Sequence, residues 1–140
     1  MPSMIDSAYR ILSDEAAVIS GYIRCWNCHT DMEVICLYCQ TGLVDGEAIL
    51  DFSVSNITDI DESLRVQLAR WPKFHPTRRR GVHFGGFANH CPCCEKPQDE
   101  FYLHCRPGGV FFSFQDPVAP LQIHALHGVV RFTGDEGFEP

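Results

Sequence analysis

The sequence predicts an α+β domain with a small antiparallel β core, an N-terminal helix, and a helix and loop insertion between two distant cysteine pairs. Three observations carry this. Ile5, Ala8, Ile11 and Leu12 fall near helical spacing, and Gly21 ends the segment. Cys25-Trp26-Asn27-Cys28 and Cys91-Pro92-Cys93-Cys94 each lie between an aromatic-containing approach and an apolar exit. Between the pairs, Asn56 or Thr58 stands before an acidic stretch that suits a helix, and Pro72 stops it.

The elements follow in chain order. The first helix covers about Ile5 to Ser20, with Asp14, Glu15 and Ala16 in its later turns. Tyr22-Ile23-Arg24 is a short strand into the first Cys pair, and Met32 to Cys39, rich in β-formers, is the return strand. A further strand is expected at Ala48 to Val54, then a helix from about Asp59 to Ala69 with Asp59, Asp61 and Glu62 in its positive first turn. Trp71 to Gly81, with two prolines and a run of arginines, reads as an exposed loop. Phe101 to Cys105 and Val110 to Phe114 are strand-like, and Leu121 to Phe132 supplies one more strand pair turning near Gly128. The acidic tail, Thr133 to Pro140, is expected to fray.

A chain of 140 residues is the usual size of one domain and can bury a core without disulfides. The expected organisation is a single domain over 1–140, with Cys-pair regions near 22–39 and 88–105 and an insertion over 45–84. Met1 to Ser7 lacks the basic and apolar segments of a secretory signal, so the eight cysteines are expected in a reducing, cytoplasmic setting. No apolar run is long enough to cross a bilayer, so no membrane partner is expected. The net charge of -7 opposes broad attraction to nucleic acid.

Charge is segregated along the chain. From Asp45 to Glu62 every charged residue is acidic, whereas Ser63 to Cys94 contains no Asp or Glu. That second stretch holds Arg65, Arg70, Lys73, Arg78, Arg79 and Arg80 with His75, His83 and His90. The two segments either neutralise each other after folding or orient a charged partner.

The chemistry lies in the thiols. A tetrahedral zinc site takes four soft ligands, and a two-residue spacer lets one tight turn aim both sulfurs of a pair at one ion. Cys25, Cys28, Cys91 and Cys94 therefore read as two halves of one site. A compact rival uses Cys25, Cys28, Cys36 and Cys39, leaving Cys91, Cys94, Cys105 and His90 or His104 for a second metal. Against it, an extended segment sends Cys36 and Cys39 to opposite faces. Cys36, Cys39 and Cys105 otherwise read as small buried side chains, while Cys93 lies beside two presumptive ligands where it is open to reaction. Cys25-x-x-Cys28-His29 also spells a haem-attachment motif, and Cys-Trp-Asn-Cys a redox motif. The first lacks its compartment and axial ligand, the second its βαβ context.

The stretches Tyr22 to Cys28 and Ala88 to Cys94, followed by Phe101-Tyr102-Leu103-His104 and Pro107 to Phe112, resemble a largely uncharacterised group of small bacterial zinc-ribbon proteins. In these, two knuckles are split by a long insertion. The resemblance covers about half of the chain and implies a zinc-ribbon-like β core with one structural Zn2+ on Cys25, Cys28, Cys91 and Cys94. The chain departs from the usual second knuckle by placing Cys93 inside the pair and Glu95 where a glycine usually accommodates the turn, so a less regular second knuckle is expected.

Four cysteines close the metal's shell and leave no position for water, so an enzyme is disfavoured. The favoured function is an interaction module or adaptor that contacts another protein, in an immunity or regulatory role. The second is a nucleic-acid reader using Arg70, Trp71, Lys73, Arg78, Arg79 and Arg80. A thiol redox or metal sensor is the third.

Overall fold

The computed structural model describes residues 9–77, 86–98, 103, 111 and 120–136. The first departure from expectation comes at once. Residues 11–20 are not helical: β1 (Ile11–Arg24) runs as one strand and pairs antiparallel along its length with β2 (Asp31–Val44), from Ile11 opposite Val44 to Arg24 opposite Asp31. Residues 5–8 lie outside the described residues. From Ala16 to Gly21 every side of β1 is buried, and so is Val34 to Leu37 of β2. A strand buried on both faces loses its period-two alternation, and short apolar runs of this kind read ambiguously as helix or strand.

Asp45 and Gly46 turn β2 into β3 (Glu47–Ile60), both with positive φ (52° and 86°). This is the left-handed pair that a two-residue hairpin needs, and β3 runs past the expected end at Val54 because its far half pairs with a later strand. The insertion is therefore not helix and loop alone. Its longest element is a 14-residue strand.

Among the described residues helix is confined to α1 (Glu62–Leu68) and to Leu103, which lies in a segment expected to be strand-like. Asp61 caps α1 by accepting from the Leu64 amide at 2.9 Å, in place of Asn56 or Thr58. The helix starts later than expected because Asp59 and Ile60 still pair with a later strand. Leu64 and Leu68 turn into the core, and among the described residues no helix is long and apolar enough to cross a membrane. A two-stranded sheet follows, β4 (Phe74–Pro76) against β5 (Phe87–Asn89).

The chain returns to the main sheet with β6 (Gln122–Ala125) and β7 (Val130–Glu136). The expected strand pair turning near Gly128 does not form: the chain bends at Gly128 (φ 69°) without reversing, and the two strands lie in succession along the same edge of β1, both antiparallel to it. Strand β7 also pairs with β3, so the pairing β1, β2, β3, β7 and back to β1 closes on itself. Residues 133–136 belong to β7 rather than to a frayed tail, and 137–140 lie outside the described residues. Gly134 is buried where a Cβ would come within 2.7 Å of Val54 and 2.9 Å of the Ser55 carbonyl, so the β3 and β7 backbones approach closely there. The structure is thus mostly β, with a closed antiparallel sheet in place of the α+β layout.

Alternation along β2 divides the apolar residues between two clusters. Ile35, Leu37 and Cys39 face a core with Val18, Val54, Leu64, Trp71 and Phe132. Met32, Val34 and Cys36 face the other way, into a smaller cluster with Cys25, Cys91, Leu103 and Phe111. The second cluster places the cysteine pairs.

Candidate metal centre

Both Cys pairs fold into the same tight turn. In the first, Cys25 N–H donates to the Thr30 carbonyl (2.9 Å) and His29 N–H to the Cys25 carbonyl (3.0 Å). In the second, Cys91 N–H donates to the Lys96 carbonyl (3.0 Å) and Glu95 N–H to the Cys91 carbonyl (2.9 Å). His29 and Glu95 occupy equivalent left-handed positions with φ 65° and 66°. The second knuckle is as regular as the first. Glu95 adopts the conformation a glycine would take, at a cost of roughly 1–2 kcal/mol, and its carboxylate pairs with Lys73 at 2.7 Å.

The turns carry Cys25, Cys28, Cys91 and Cys94 to one point, with all four Sγ atoms within 4.8 Å of one another. Cys25 approaches Cys94 at 3.6 Å and Cys28 approaches Cys91 at 3.5 Å. Sulfurs of a tetrahedral zinc thiolate with bonds of ~2.3 Å lie ~3.8 Å apart, whereas a disulfide holds them at ~2.05 Å. The spacing fits a metal and excludes a bond, and all four thiols are free.

Polar groups around the sulfurs favour thiolates. The amides of Asn27 and Cys93 donate to Cys25 and Cys91 Sγ, each at 3.4 Å. Gln98 Nε2 donates to Cys25 Sγ at 3.5 Å, and Thr30 Oγ1 lies 3.2 Å from Cys28 Sγ. Burial acts to raise the Cys25 thiol, but the Cys28 and Asn27 amides and Gln98 outweigh it and hold Cys25 at about 6. The Thr30 hydroxyl lowers Cys28. At Cys91 the Cys94 and Cys93 amides also lower the pKa, yet burial and neighbouring Cys28 and Cys25 push it up to about 11. A metal-free cluster therefore resists ionising completely, and a divalent cation removes that repulsion. The donor set fits a metal held by these four cysteines.

The compact alternative does not form. Cys36 and Cys39 point into different clusters on opposite faces of β2, as an extended segment requires. Burial raises Cys39 to about 11, in keeping with an inert thiol. His90 turns its Nδ1 to the Ala88 carbonyl at 2.9 Å and stacks on His75 at 3.7 Å, outside the cluster. Cys105 and His104 lie outside the described residues.

The basic segment is only partly described. Arg70 is exposed, with its guanidinium 4.9 Å from the centre of the Trp71 ring. Trp71 itself packs into the main core and meets His124 edge-on, so it is not a free stacking face. Lys73 is bound to Glu95. Arg78, Arg79 and Arg80 lie outside the described residues.

Three supporting residues escaped the sequence reading. Gln98 and Thr30 follow their Cys pairs but carry no spacing rule that marks them. Asn89, two residues before Cys91, clasps the middle of β2: its Oδ1 accepts from Ile35 N–H (2.8 Å) and its Nδ2 donates to the Ile35 carbonyl (3.0 Å). Comparisons with family models, curated proteins and solved structures returned no match, so the site is read from its own geometry.

Proposed function

We propose that this chain is an interaction module whose four cysteines hold one structural zinc, and that its task is to contact a partner protein in an adaptor, immunity or regulatory role. The observation that carries the metal is the convergence of four thiol sulfurs from two knuckles with hydrogen-bond donors around them. Four thiolates with no other ligand favour zinc over oxygen-seeking cations, and a closed shell favours a structural over a catalytic ion. A cytoplasmic setting keeps such thiols reduced.

The partner reading rests on the first knuckle. Tyr22 and Trp26 are 63% and 59% exposed, yet Trp26 Nε1 donates to the Pro97 carbonyl at 3.0 Å, which fixes the ring. Rigid, exposed aromatic residues are the type on which protein interfaces concentrate their energy. The nucleic-acid reading loses support from the burial of Trp71 and the pairing of Lys73.

Native mass spectrometry of protein purified without added metal tests the centre. One zinc per chain is expected, and Cys25→Ser or Cys94→Ser should lose it together with a large part of the thermal stability. Wild-type metal content and melting temperature in either variant would sink the assignment. Fluorescence anisotropy with single-stranded oligonucleotides at low salt separates the two partner classes, with no binding expected.

A further inference from the structure

The four sulfurs are unequal in access. Cys25 and Cys91 are fully buried, while Cys28 and Cys94 are half-buried. Two close sulfur contacts, at 3.6 and 3.5 Å, each join one kind to the other across the knuckles: buried Cys25 with accessible Cys94, and accessible Cys28 with buried Cys91. An oxidant therefore meets Cys94 or Cys28 first, and a second sulfur waits at 3.6 or 3.5 Å on the opposite turn.

We propose that Cys28 and Cys94 are oxidative modification sites, and that hydrogen peroxide replaces the metal staple with the two cross-knuckle disulfides Cys25 to Cys94 and Cys28 to Cys91. This rests on the four-thiolate metal reading above. The Cys94 thiolate attacks the peroxide O–O bond, becoming a sulfenic acid as hydroxide leaves. The Cys25 thiolate then attacks the Cys94 sulfur, forming the S–S bond and expelling a second hydroxide. Two thiolates lose two electrons, the peroxide gains them, and two solvent protons convert the hydroxides to water. A second peroxide does the same at Cys28 and Cys91. Having lost its ligands, the metal leaves as the aqueous ion, and a dithiol reductant reverses each bridge by exchange.

The geometry favours this outcome over irreversible oxidation. A sulfenic acid with a thiolate in contact condenses before a second oxidant arrives, and closing from 3.6 Å to ~2.05 Å needs only a small approach of the turns. The consequence is specific. Both bridges join the β1–β2 turn to the turn after β5, as the metal does, so the oxidised form keeps its long-range closure while losing its ion. Exposed Cys93 has no part in either bridge.

The test uses the full chain purified with its metal and titrated with hydrogen peroxide. Released zinc is read with a colorimetric chelator, and disulfides by non-reducing peptide mapping, since tryptic cleavage separates Cys25 and Cys28 from Cys91 to Cys94. Zinc release is expected together with covalent joining of the two peptides at the named sites. The oxidised protein should melt well above reduced protein stripped by a chelator, and Cys93→Ser should give the same map. Bridges confined within each knuckle, bridges through Cys93, or sulfinic acids without bridges would overturn the proposal. Should untreated protein hold no zinc, the metal reading fails on its own, and mapping of reduced protein after peroxide still decides the pairing.

Discussion

The sulfur of Cys25 accepts from Asn27 N–H and from the Gln98 carboxamide, and Thr30 serves Cys28. Outer groups of this kind orient ligands and spread thiolate charge, so their loss is felt in affinity before it is felt in stoichiometry. Gln98→Leu is expected to weaken zinc binding by roughly 10-fold or more while one ion per chain is still bound. Competition with a chelator of known affinity measures this, and an unchanged constant would remove Gln98 from the site. The four ligands were legible because Cys-x-x-Cys encodes a turn locally. Gln98 was not, because a donor four residues past Cys94 has meaning only when Cys25 has arrived from the other knuckle.

Among the elements, β2 packs Met32, Val34 and Cys36 against the cysteine cluster, and at Ile35 its edge away from β1, beyond the reach of β3, is held by a side chain rather than a strand. Asn89 presents an amide to both the N–H and the carbonyl of Ile35, each end buried. Removing it leaves two backbone groups without partners in a dry environment. Asn89→Ala should cost about 2–4 kcal/mol, read from chemical denaturation of the metal-loaded protein. A change below ~0.5 kcal/mol would mean that water replaces the amide freely. Strand pairing also explains the misread of residues 11–20. Ala16 to Gly21 is covered on one face by the main core and on the other by the cysteine cluster, so its sequence carries no alternation. The first turn of α1 was placed near Asp59 from its acidic residues, but pairing of Asp59 with Thr133 keeps that segment extended until Asp61.

For the molecule as a whole, the cysteine cluster links folding to protons. Cys25 has a folded pKa of about 6 against 9.0 for the unfolded thiol. Between these values the unfolded chain binds more protons, so this contribution to stability is complete above pH 9 and is lost as pH falls through 6. Cys91, raised to about 11, has the opposite sign: its contribution is present below pH 9 and lost as pH rises towards 11. Metal-free protein under reducing conditions should therefore show a cysteine-dependent stability maximum near pH 9. A zinc ion bound there would hold all four sulfurs as thiolates, so the alkaline fall should vanish on loading. Denaturation midpoints across pH, with and without zinc, check both limbs, and a flat metal-free profile would contradict the electrostatics of the site.

At this same scale the division between sequence and fold has a physical basis. The cysteine turns, the opposite orientation of Cys36 and Cys39, and the strands flanking the first pair follow from local spacing and the period of an extended chain. Those were readable without a partner. The closure of β7 onto β1 and β3, the burial of Trp71, and the choice of strand over helix for residues 11–20 depend on contacts between distant segments. Only the tertiary structure decided them, because an apolar run states that it must be buried but not against what.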